Sequence, residues 1–396
     1  MTHKVLIAGV GMTPFTALGS GHATELTKSA VNLALADTDL DLDLIDQTFF
    51  ACVHSGSGIG ERLMAPLGLN GTSLANVRDG CISGHSAFHQ ARQSLLAGEA
   101  ECVLVVGCEA MPAGISSRAF FDLGERAGKP QDPTAENHQA LEQLERRQHP
   151  AELFAAQNSH LLTGLGVSEA IYEQVVLGAR TQARLNPYAL FNQLDEVDSW
   201  LAPYLSAPAC GAAVLILCTP SFAQRYGLRA DIACLVSLRG GDCDADQESF
   251  SALDVLGRSA TRRLSTRAYE LAGLGPEDID LVELHDQSVG DYLINCAALG
   301  FCREDQLAAF SLGRHYGDGG GVGVCPSGGL LGRLGGPLEL VAAVLVELAG
   351  RDVEREHDVL ADLQPGLLDG GRDQVERLAV VRQVGGEAAL VAEPGR

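Results

Sequence analysis

The sequence is short of cationic residues. It has 28 Lys and Arg against 51 Asp and Glu, so its formal net charge at pH 7 is −23. A chain with this excess of negative charge repels the phosphates of nucleic acids and of anionic membrane surfaces. The composition therefore argues against both as partners, and a phosphate-bearing ligand requires a local basic patch.

Paired cysteine motifs are also absent. The 11 cysteines are odd in number and scattered, and none forms a CxxC pair. Disulfide frameworks and structural zinc sites depend on regular, closely spaced pairs. We therefore predict no disulfide framework, no metal site and a reducing, cytoplasmic location.

No long apolar segment stands at the N-terminus. Residues 4–8 form a short apolar run that ends at Gly9, which is too short for a signal peptide or a membrane span. The chain is instead rich in glycine, with 46 residues, and its hydrophobic content is 46%. It can bury large cores, and its length suits one large domain or two to three ordinary ones.

Strand and helix patterns alternate along the chain, which favours a layered α/β fold with parallel strands. Residues 9–14 are predicted to form a turn, and residues from 115 to about 193 a polar, largely helical insertion. Strands are predicted at residues 4–8, 46–53, 73–77, 101–107, 210–218, 232–238, 281–284, 378–382 and 388–392, and helices at 25–36, after Cys81, and at 338–348.

One pattern occurs twice. Residues 30–34 read Ala-x-x-Leu-Ala, and an acidic loop and a strand follow. Residues 268–272 read the same and precede the strand at 281–284. A helix, an acidic loop and a strand thus stand at matching places, which predicts two similar α/β halves.

Cys81 lies in the run Asp79-Gly80-Cys81-Ile82-Ser83-Gly84, between a predicted strand and a predicted helix. In the first turn of a helix, unpaired N–H groups and the helix dipole favour an anion. Such a position can lower a thiol pKa from about 8.5 to roughly 3.5–7.5. Cys81 is therefore a candidate nucleophile; the alternative is a buried structural cysteine.

His285 directly follows the predicted strand at 281–284. Ligands of open α/β sheets bind at the carboxyl ends of the strands. A histidine there can donate a hydrogen bond to a carbonyl oxygen or take a proton from a thiol. The alternative is that His285 caps the helix that follows.

Three weaker candidates complete the list. The tract Val324-Cys325-Pro326-Ser327-Gly328-Gly329-Leu330 either brings backbone close to a bound group or is a flexible loop. Cys325 is either a second reactive thiol or a buried one, and His315 is a looser candidate. His85 and His89 have the i, i+4 spacing of metal ligands, but no third ligand stands beside them.

These segments resemble the thiolase superfamily, and within it the sterol carrier protein X-type thiolases and their thiolase-like relatives. The resemblance covers nearly the whole chain. The segments that carry it are Asn76-Val77-Arg78-Asp79-Gly80-Cys81 with Ser83-Gly84, residues 100–111, Asn186-Pro187-Tyr188, Val282-Glu283-Leu284-His285-Asp286 and Pro326-Ser327-Gly328-Gly329-Leu330-Leu331.

The resemblance implies two βαβαβαββ halves in five αβαβα layers, with a loop domain inserted in the first half. We expect the halves at residues 1–240, with the insertion at about 115–200, and at 241–396. Members are dimers or tetramers, act on acyl thioesters, usually of coenzyme A, and need no permanently bound cofactor. Cys81 matches the nucleophile that takes the acyl group, and His285 matches a histidine that holds the thioester oxygen.

The sequence departs from the family pattern at the acid/base positions. Gln287 replaces the cysteine of the His-Asp-Cys-Phe motif, and Gly336 replaces the histidine of the Gly-His-Pro motif. The closing glycine-rich motif is reduced to Arg-Gln-Val-Gly-Gly, which contains Gly385. One positioned acid/base contributes about 10²–10⁴-fold in rate. The sequence therefore predicts weak thiolysis, unless Cys325 or His315 replaces the missing groups.

Two classes of function follow from the resemblance. The first is an acyltransferase of a specialised biosynthetic or lipid pathway, which loads an acyl group on Cys81 and passes it to an acceptor that needs no carbanion. The second is a subunit with altered or no thiolase chemistry, such as an aldolase-type subunit, that works with a small zinc-bearing OB-fold partner. The intact Cys81 favours the first, and the replaced residues Gln287 and Gly336 favour the second.

Overall fold

A computed structural model of the chain describes residues 4–114 except 55, 70 and 71, residues 165–190, 206, 209–230, 232–239, 258–312, 322–332, 378–383 and 387–392. The strands are β1 (Val5–Met12), β2 (Gln47–Ala51), β3 (Ser73–Val77), β4 (Cys102–Glu109), β5 (Gly211–Cys218), β6 (Ile232–Arg239), β7 (Leu281–Leu284), β8 (Gly323–Val324), β9 (Leu378–Gln383) and β10 (Glu387–Ala392). The α-helices are α1 (Ala23–Thr38), α2 (Ile59–Met64), α3 (Ser83–Ala97), α4 (Glu169–Leu185), α5 (Pro220–Tyr226), α6 (Arg258–Ala272), α7 (Val289–Ala298) and α8 (Leu307–Leu312).

The strands form one ten-stranded sheet in the order β3-β2-β4-β5-β1-β6-β10-β9-β7-β8. Read outward from its middle, this order repeats. β2 is parallel to β3 and β4 as β7 is parallel to β8 and β9, and the remaining pairs in each half are antiparallel. The predicted pair of similar halves is therefore confirmed.

Helices cover both faces of the first-half strands. Successive residues of a strand point to opposite faces, and in these strands the residues on both faces are apolar. On one face, Val103 and Val105 of β4 pack with α3, whose Phe88 is 2% exposed. On the other face, Leu104 and Val106 pack with α1 and α5. Helix α3 also contacts β6, and α6 packs on β6 and β10. The layers are thus α1 with α5, first-half strands, α3, second-half strands and α6.

The predicted turn at residues 9–14 is wrong in part, because β1 continues to Met12. A Cβ atom on Gly9 would overlap the Thr38 side chain, and one on Gly11 would overlap the backbone of α1 at Ala30. These glycines let a helix lie close against a strand, which is a use of glycine that a sequence pattern does not separate from a turn.

Strand β6 belongs to the second half by its place in the sheet, since it corresponds to β1. The predicted division at residue 240 falls after this strand and stays a prediction. Most of the predicted insertion and the predicted helix at 338–348 lie outside the described residues. In the described part, no helix is both long and apolar enough to cross a membrane.

Candidate active site

A network of short hydrogen bonds shapes the turn that carries Cys81. The backbone N–H of Asp79 donates to Ser83 Oγ at 2.8 Å, and this hydroxyl donates to the Gly80 carbonyl oxygen at 2.7 Å. Ser86 Oγ donates to Asp79 Oδ2 at 2.6 Å. Gly80 has a φ of 54°, which suits a residue without a side chain. The small residues that follow the cysteine thus close the turn from within.

Cys81 differs from most cysteines in the described part of the chain. It is half-buried, as is Cys302, while the others there are buried. Burial raises the pKa of Cys302 to about 11, with Asp305 adding to the effect. Cys81 lies just before Ile82, the N-cap residue of α3, rather than inside the first turn of the helix as the sequence predicted. The positive end of the helix dipole at this N-terminus favours an anion nearby. Position and exposure together make Cys81 the best candidate nucleophile in the described residues.

Helix α3 runs along β6 in the opposite direction. Just before the helix, Asp79 forms an ion pair with Arg239 at the end of β6. Within the helix, His89 Nδ1 lies 2.9 Å from Ser237 Oγ. Further along, Arg92 Nη2 donates to the Leu235 carbonyl oxygen at 2.7 Å. The Cys81 turn therefore lies at the carboxyl end of β6.

His285 lies at the same edge of the sheet as that turn. β6 is antiparallel to β10, β10 is antiparallel to β9, and β9 is parallel to β7. The carboxyl ends of β6 and β7 therefore point to one edge, and His285 follows the last residue of β7. Its side chain is 4% exposed.

His285 does not cap the helix that follows it. The N-cap of α7 is Ser288, whose Oγ accepts from the Asp291 N–H at 3.0 Å. The acidic residue in the first turn of α7 is Asp291, so Asp286 does not have that role either. This removes the main structural alternative for His285.

Two buried carboxylates hold the glycine-rich turn after β8. Asp286 Oδ1 accepts from the Leu330 N–H at 2.6 Å, and Glu283 Oε1 accepts from the Ser327 N–H at 2.9 Å. A Cβ on Gly329 would overlap the Asp286 carboxylate. Burial raises the pKa of Asp286 well above its usual value. The described part of the tract, residues 322–332, is thus a packed turn built around Asp286.

Cys325 lies inside this turn and is 2% exposed. Its Sγ accepts from the Leu284 N–H at 3.4 Å. Burial, and then the charges of Asp286 and Glu283, raise the pKa of the Cys325 thiol well above its usual value. A thiol that resists ionisation is a poor nucleophile, so these features favour a structural role.

Of the other candidate residues, the structure describes Gln287 and Gly328. Gln287 is half-buried, and its backbone carbonyl oxygen accepts from the Ser206 N–H at 2.9 Å. Gly328 packs on α4, where a Cβ would lie 2.9 Å from the Ala183 Cβ. His315, Gly336 and Gly385 lie outside the described residues.

Both histidines of α3 pack against other parts of the protein, since His85 is buried and His89 lies against Ser237. Burial lowers the pKa of His85 to about 3, and the nearby His89 and Arg239 add to the effect. His89 is held by Ser237, and its pKa is lowered chiefly by burial. Over the ranges that the structure describes, no group of three metal-ligating side chains occurs.

The sequence matches two family models. Residues 5–123 match the thiolase N-terminal domain, and residues 243–351 match the thiolase C-terminal domain-like family. The chain belongs to the thiolase superfamily. The first match contains the Cys81 turn, and the second contains His285 and the β8 turn.

Known proteins resemble this thiolase-superfamily chain in sequence and in structure. Sterol carrier protein 2 of Oryctolagus cuniculus is 30% identical over 352 residues, which cover 85% of this chain and 63% of that protein. The chain thus spans less than two thirds of this relative's length. Among solved structures, human mitochondrial 3-ketoacyl-CoA thiolase superposes with a TM-score of 0.66 and 17% identity, covering 100% of this chain and 99% of that one. The Ltp2-ChsH2(DUF35) aldolase gives a TM-score of 0.71 at 17% identity, with the same coverage.

These likenesses show that the chain has the thiolase fold. Two contacts at strand ends were not anticipated from the sequence. Arg239 contacts the Cys81 turn from the other half, 160 positions away in the chain. Glu109 ends β4 and accepts from the Val53 N–H at 2.9 Å, which fixes the loop after β2. Neither contact leaves a local signal in the sequence; the resembling segment at residues 100–111 marked Glu109 only as part of a motif.

Proposed function

We propose that this protein is a thiolase-like acyltransferase. It takes an acyl group from an acyl-CoA or a carrier-protein thioester onto Cys81 and passes it to an acceptor. The observation that carries this proposal is the ion pair between Asp79 and Arg239. It supports a site in which a half-buried thiol from the first half meets the strand ends of the second half, where His285 lies.

In the first step, the Cys81 thiolate attacks the thioester carbonyl carbon, and a carbon–sulfur bond forms. The oxyanion is stabilised by backbone N–H groups of the helix start and by the buried His285. The bond to coenzyme A then breaks, and the leaving thiolate takes the proton that Cys81 has lost. In the second step, an amine, hydroxyl or electron-rich carbon attacks the acyl carbonyl carbon and the bond to Cys81 Sγ breaks. The proton that the acceptor gives up restores the Cys81 thiol.

Carbon–carbon cleavage or formation at the α-carbon also requires a positioned acid/base. Gln287 does not titrate, and Gly336 offers no base. Cys325 is buried, and its pKa is raised. Each missing group lowers the rate by about 10²–10⁴-fold. We therefore expect acylation of Cys81 but only weak thiolysis of 3-ketoacyl-CoA.

The test is a pair of assays on one preparation of the full chain. The mass of the intact protein is followed with a panel of acyl-CoAs, and CoA-dependent cleavage of acetoacetyl-CoA and its longer homologues is measured in parallel. An acyl mass shift located on Cys81, with little cleavage, supports the proposal. Cleavage at about tens of turnovers per second, which is ordinary enzyme speed, shows that another residue replaces the missing acid/base.

A second candidate is an aldolase-type or non-catalytic thiolase-like subunit that needs an OB-fold partner. The structural likeness to the Ltp2-ChsH2(DUF35) aldolase favours it. The same two assays, repeated with a zinc-bearing OB-fold protein of this kind, separate the candidates. Activity that appears only with the partner supports the second, and acylation without it supports the first.

We also propose that the protein is at least a homodimer. Strand β3 is at the edge of the sheet, and its residues Ser73 and Asn76 are exposed. Exposed edges of this length invite pairing with another strand. The dimer, a tetramer built from two such dimers and a cytoplasmic location are proposals that sedimentation and cell fractionation test.

A further inference from the structure

Asp79 has three hydrogen bonds inside the Cys81 turn, and in one of them its backbone carbonyl oxygen accepts from the Ile82 N–H at 3.2 Å. Its backbone N–H donates to Ser83 Oγ, and its carboxylate accepts from Ser86 Oγ, which is fully buried on α3. A Ser hydroxyl gives direction to a carboxylate because it donates along one bond. Asp79 is thus fixed two positions before the thiol rather than extended into solvent.

The same carboxylate oxygen accepts from Arg239 Nη2, which completes its contacts from the other half of the molecule. Arg239 is the last residue of β6 and lies opposite Glu387 in the pairing with β10. The side chains of Asp79 and Arg239 are 37% and 38% exposed. The pair is therefore partly shielded and sits where the two halves meet.

The charge of Asp79 opposes the chemistry proposed for its neighbour. A carboxylate near a thiol disfavours the thiolate, and a cation near both offsets this effect. The chain is strongly acidic, so an uncompensated carboxylate at this turn would add to a general repulsion of anions. Arg239 supplies the compensating charge. The other ionisable groups on the turn, on α3 and on the loop after β7 are Arg78, His85, His89, Arg92, His285 and Asp286.

We infer that Asp79 is a positioning residue for Cys81, and that Arg239 keeps the thiol reactive by neutralising Asp79 across the junction of the two halves. The inference rests on the proposed function, because it assigns residues that keep Cys81 reactive as the proposed nucleophile. It predicts that a residue of the second half controls the reactivity of a cysteine of the first half.

The experiment measures the rate of alkylation of Cys81 by iodoacetamide between pH 5.5 and 10, with each cysteine resolved by peptide mass spectrometry. Below the apparent pKa of the thiol, we expect Arg239→Gln to slow the alkylation of Cys81 by about 3- to 10-fold. We expect Asp79→Asn to speed it by a similar factor. The double variant should return to within about twofold of the wild type, because charge balance is restored.

Two further variants control for misfolding and for general charge effects. Arg239→Lys keeps the cation and should restore most of the wild-type profile. Arg225→Gln removes the cation of an exposed ion pair with Glu101 and should leave the Cys81 profile unchanged. If Arg239→Gln and Asp79→Asn shift the profile in the same direction, or if neither shifts it, the inference is overturned.

Alkylation requires no thioester, so this test and the test of function fail independently. If Cys81 takes no acyl group in the wild type but the alkylation profile shifts as expected, the acyltransferase proposal falls and the positioning role stands. If Cys81 is acylated but its alkylation ignores both substitutions, the proposal of function stands and the role of Asp79 and Arg239 falls.

Discussion

The turns after β3 and β8 occupy equivalent places in the two halves, and each carries a cysteine. Hydroxyl groups close the first turn, where Cys81 is half-buried. Buried carboxylates hold the second, where Cys325 is 2% exposed and the pKa of its thiol is raised. The same topology thus yields a thiol suited to reaction and one suited to packing. The groups that hold each turn, hydroxyls in the first and buried carboxylates in the second, therefore decide the chemistry of its cysteine.

The largest expected effect separates the two thiols. Cys81→Ala should reduce acylation by acyl-CoA to background, because the attacking atom is gone. Cys325→Ala should keep acylation and lower the free energy of unfolding by about 1–3 kcal/mol, as for other buried core substitutions. Mass spectrometry and urea denaturation of the two variants make the comparison. Acylation that survives in Cys81→Ala and disappears in Cys325→Ala would reverse the assignment of roles.

The next effect concerns the glycine in each turn. Gly80 and Gly329 have φ values of 54° and 58°, but only Gly329 has a neighbour, Asp286, in the space that a Cβ would take. Gly80→Ala should cost about 1–2 kcal/mol of unfolding free energy from backbone strain alone. Gly329→Ala should cost about 2–5 kcal/mol, because overlap adds to the strain. Equal urea midpoints for the two variants would mean that the turn after β8 rearranges to admit the added Cβ atom at no cost in stability.

The third effect is a pH dependence on the helix that follows the first turn. Since burial lowers the pKa of His85 to about 3, the unfolded chain binds more protons than the folded one between that value and about 6.5. Stability is therefore lost as the pH falls through this range, by about 1.4 kcal/mol per unit. Between pH 6.5 and 5, the wild type should lose roughly 2 kcal/mol more than His85→Gln. His22→Gln, at an exposed position, should keep the wild-type slope.

Asp286, in the loop after β7, makes the free energy of unfolding depend on pH in the opposite direction. Burial raises the pKa of Asp286, so its contribution to stability weakens as the pH rises from acid values. Urea denaturation at several pH values measures both residues. A wild-type profile whose slope is unaffected by His85→Gln would show that His85 is solvated in solution.

The smallest effect concerns the edges of the sheet. β3 pairs five residues with β2, whereas β8 pairs two with β7, so β3 offers the longer edge to a second copy. Ala75→Lys should weaken the proposed dimer by about tenfold in dissociation constant, or about 1.4 kcal/mol, because it sets two charges opposite each other. Leu177→Lys, at an exposed site on α4, is the matched control. Sedimentation of the wild type as a monomer at micromolar concentration would contradict the dimer.

Local features were predictable where residues next to each other in the chain carry the signal. The bounds of β3 and β7 agree with the sequence pattern, since each is a short β-prone run. The thiolase fold followed from motif order. The pair of Asp79 and Arg239 was not predictable, because its members are 160 positions apart and no period links them. The turn at residues 9–14 was mistaken because Gly9 and Gly11 serve a helix that lies on top of them.

The order of the strands has a consequence for synthesis. β9 and β10 come last in the chain, yet they lie between β6 and β7 in the second half of the sheet. β5 ends at Cys218, so a ribosome-bound chain can complete the first-half strands early. The second half waits for residue 392 to emerge, with β6 and β7 separated until then. A chain truncated before β9 would contain the Cys81 turn but would lack β10, the strand that pairs with Arg239.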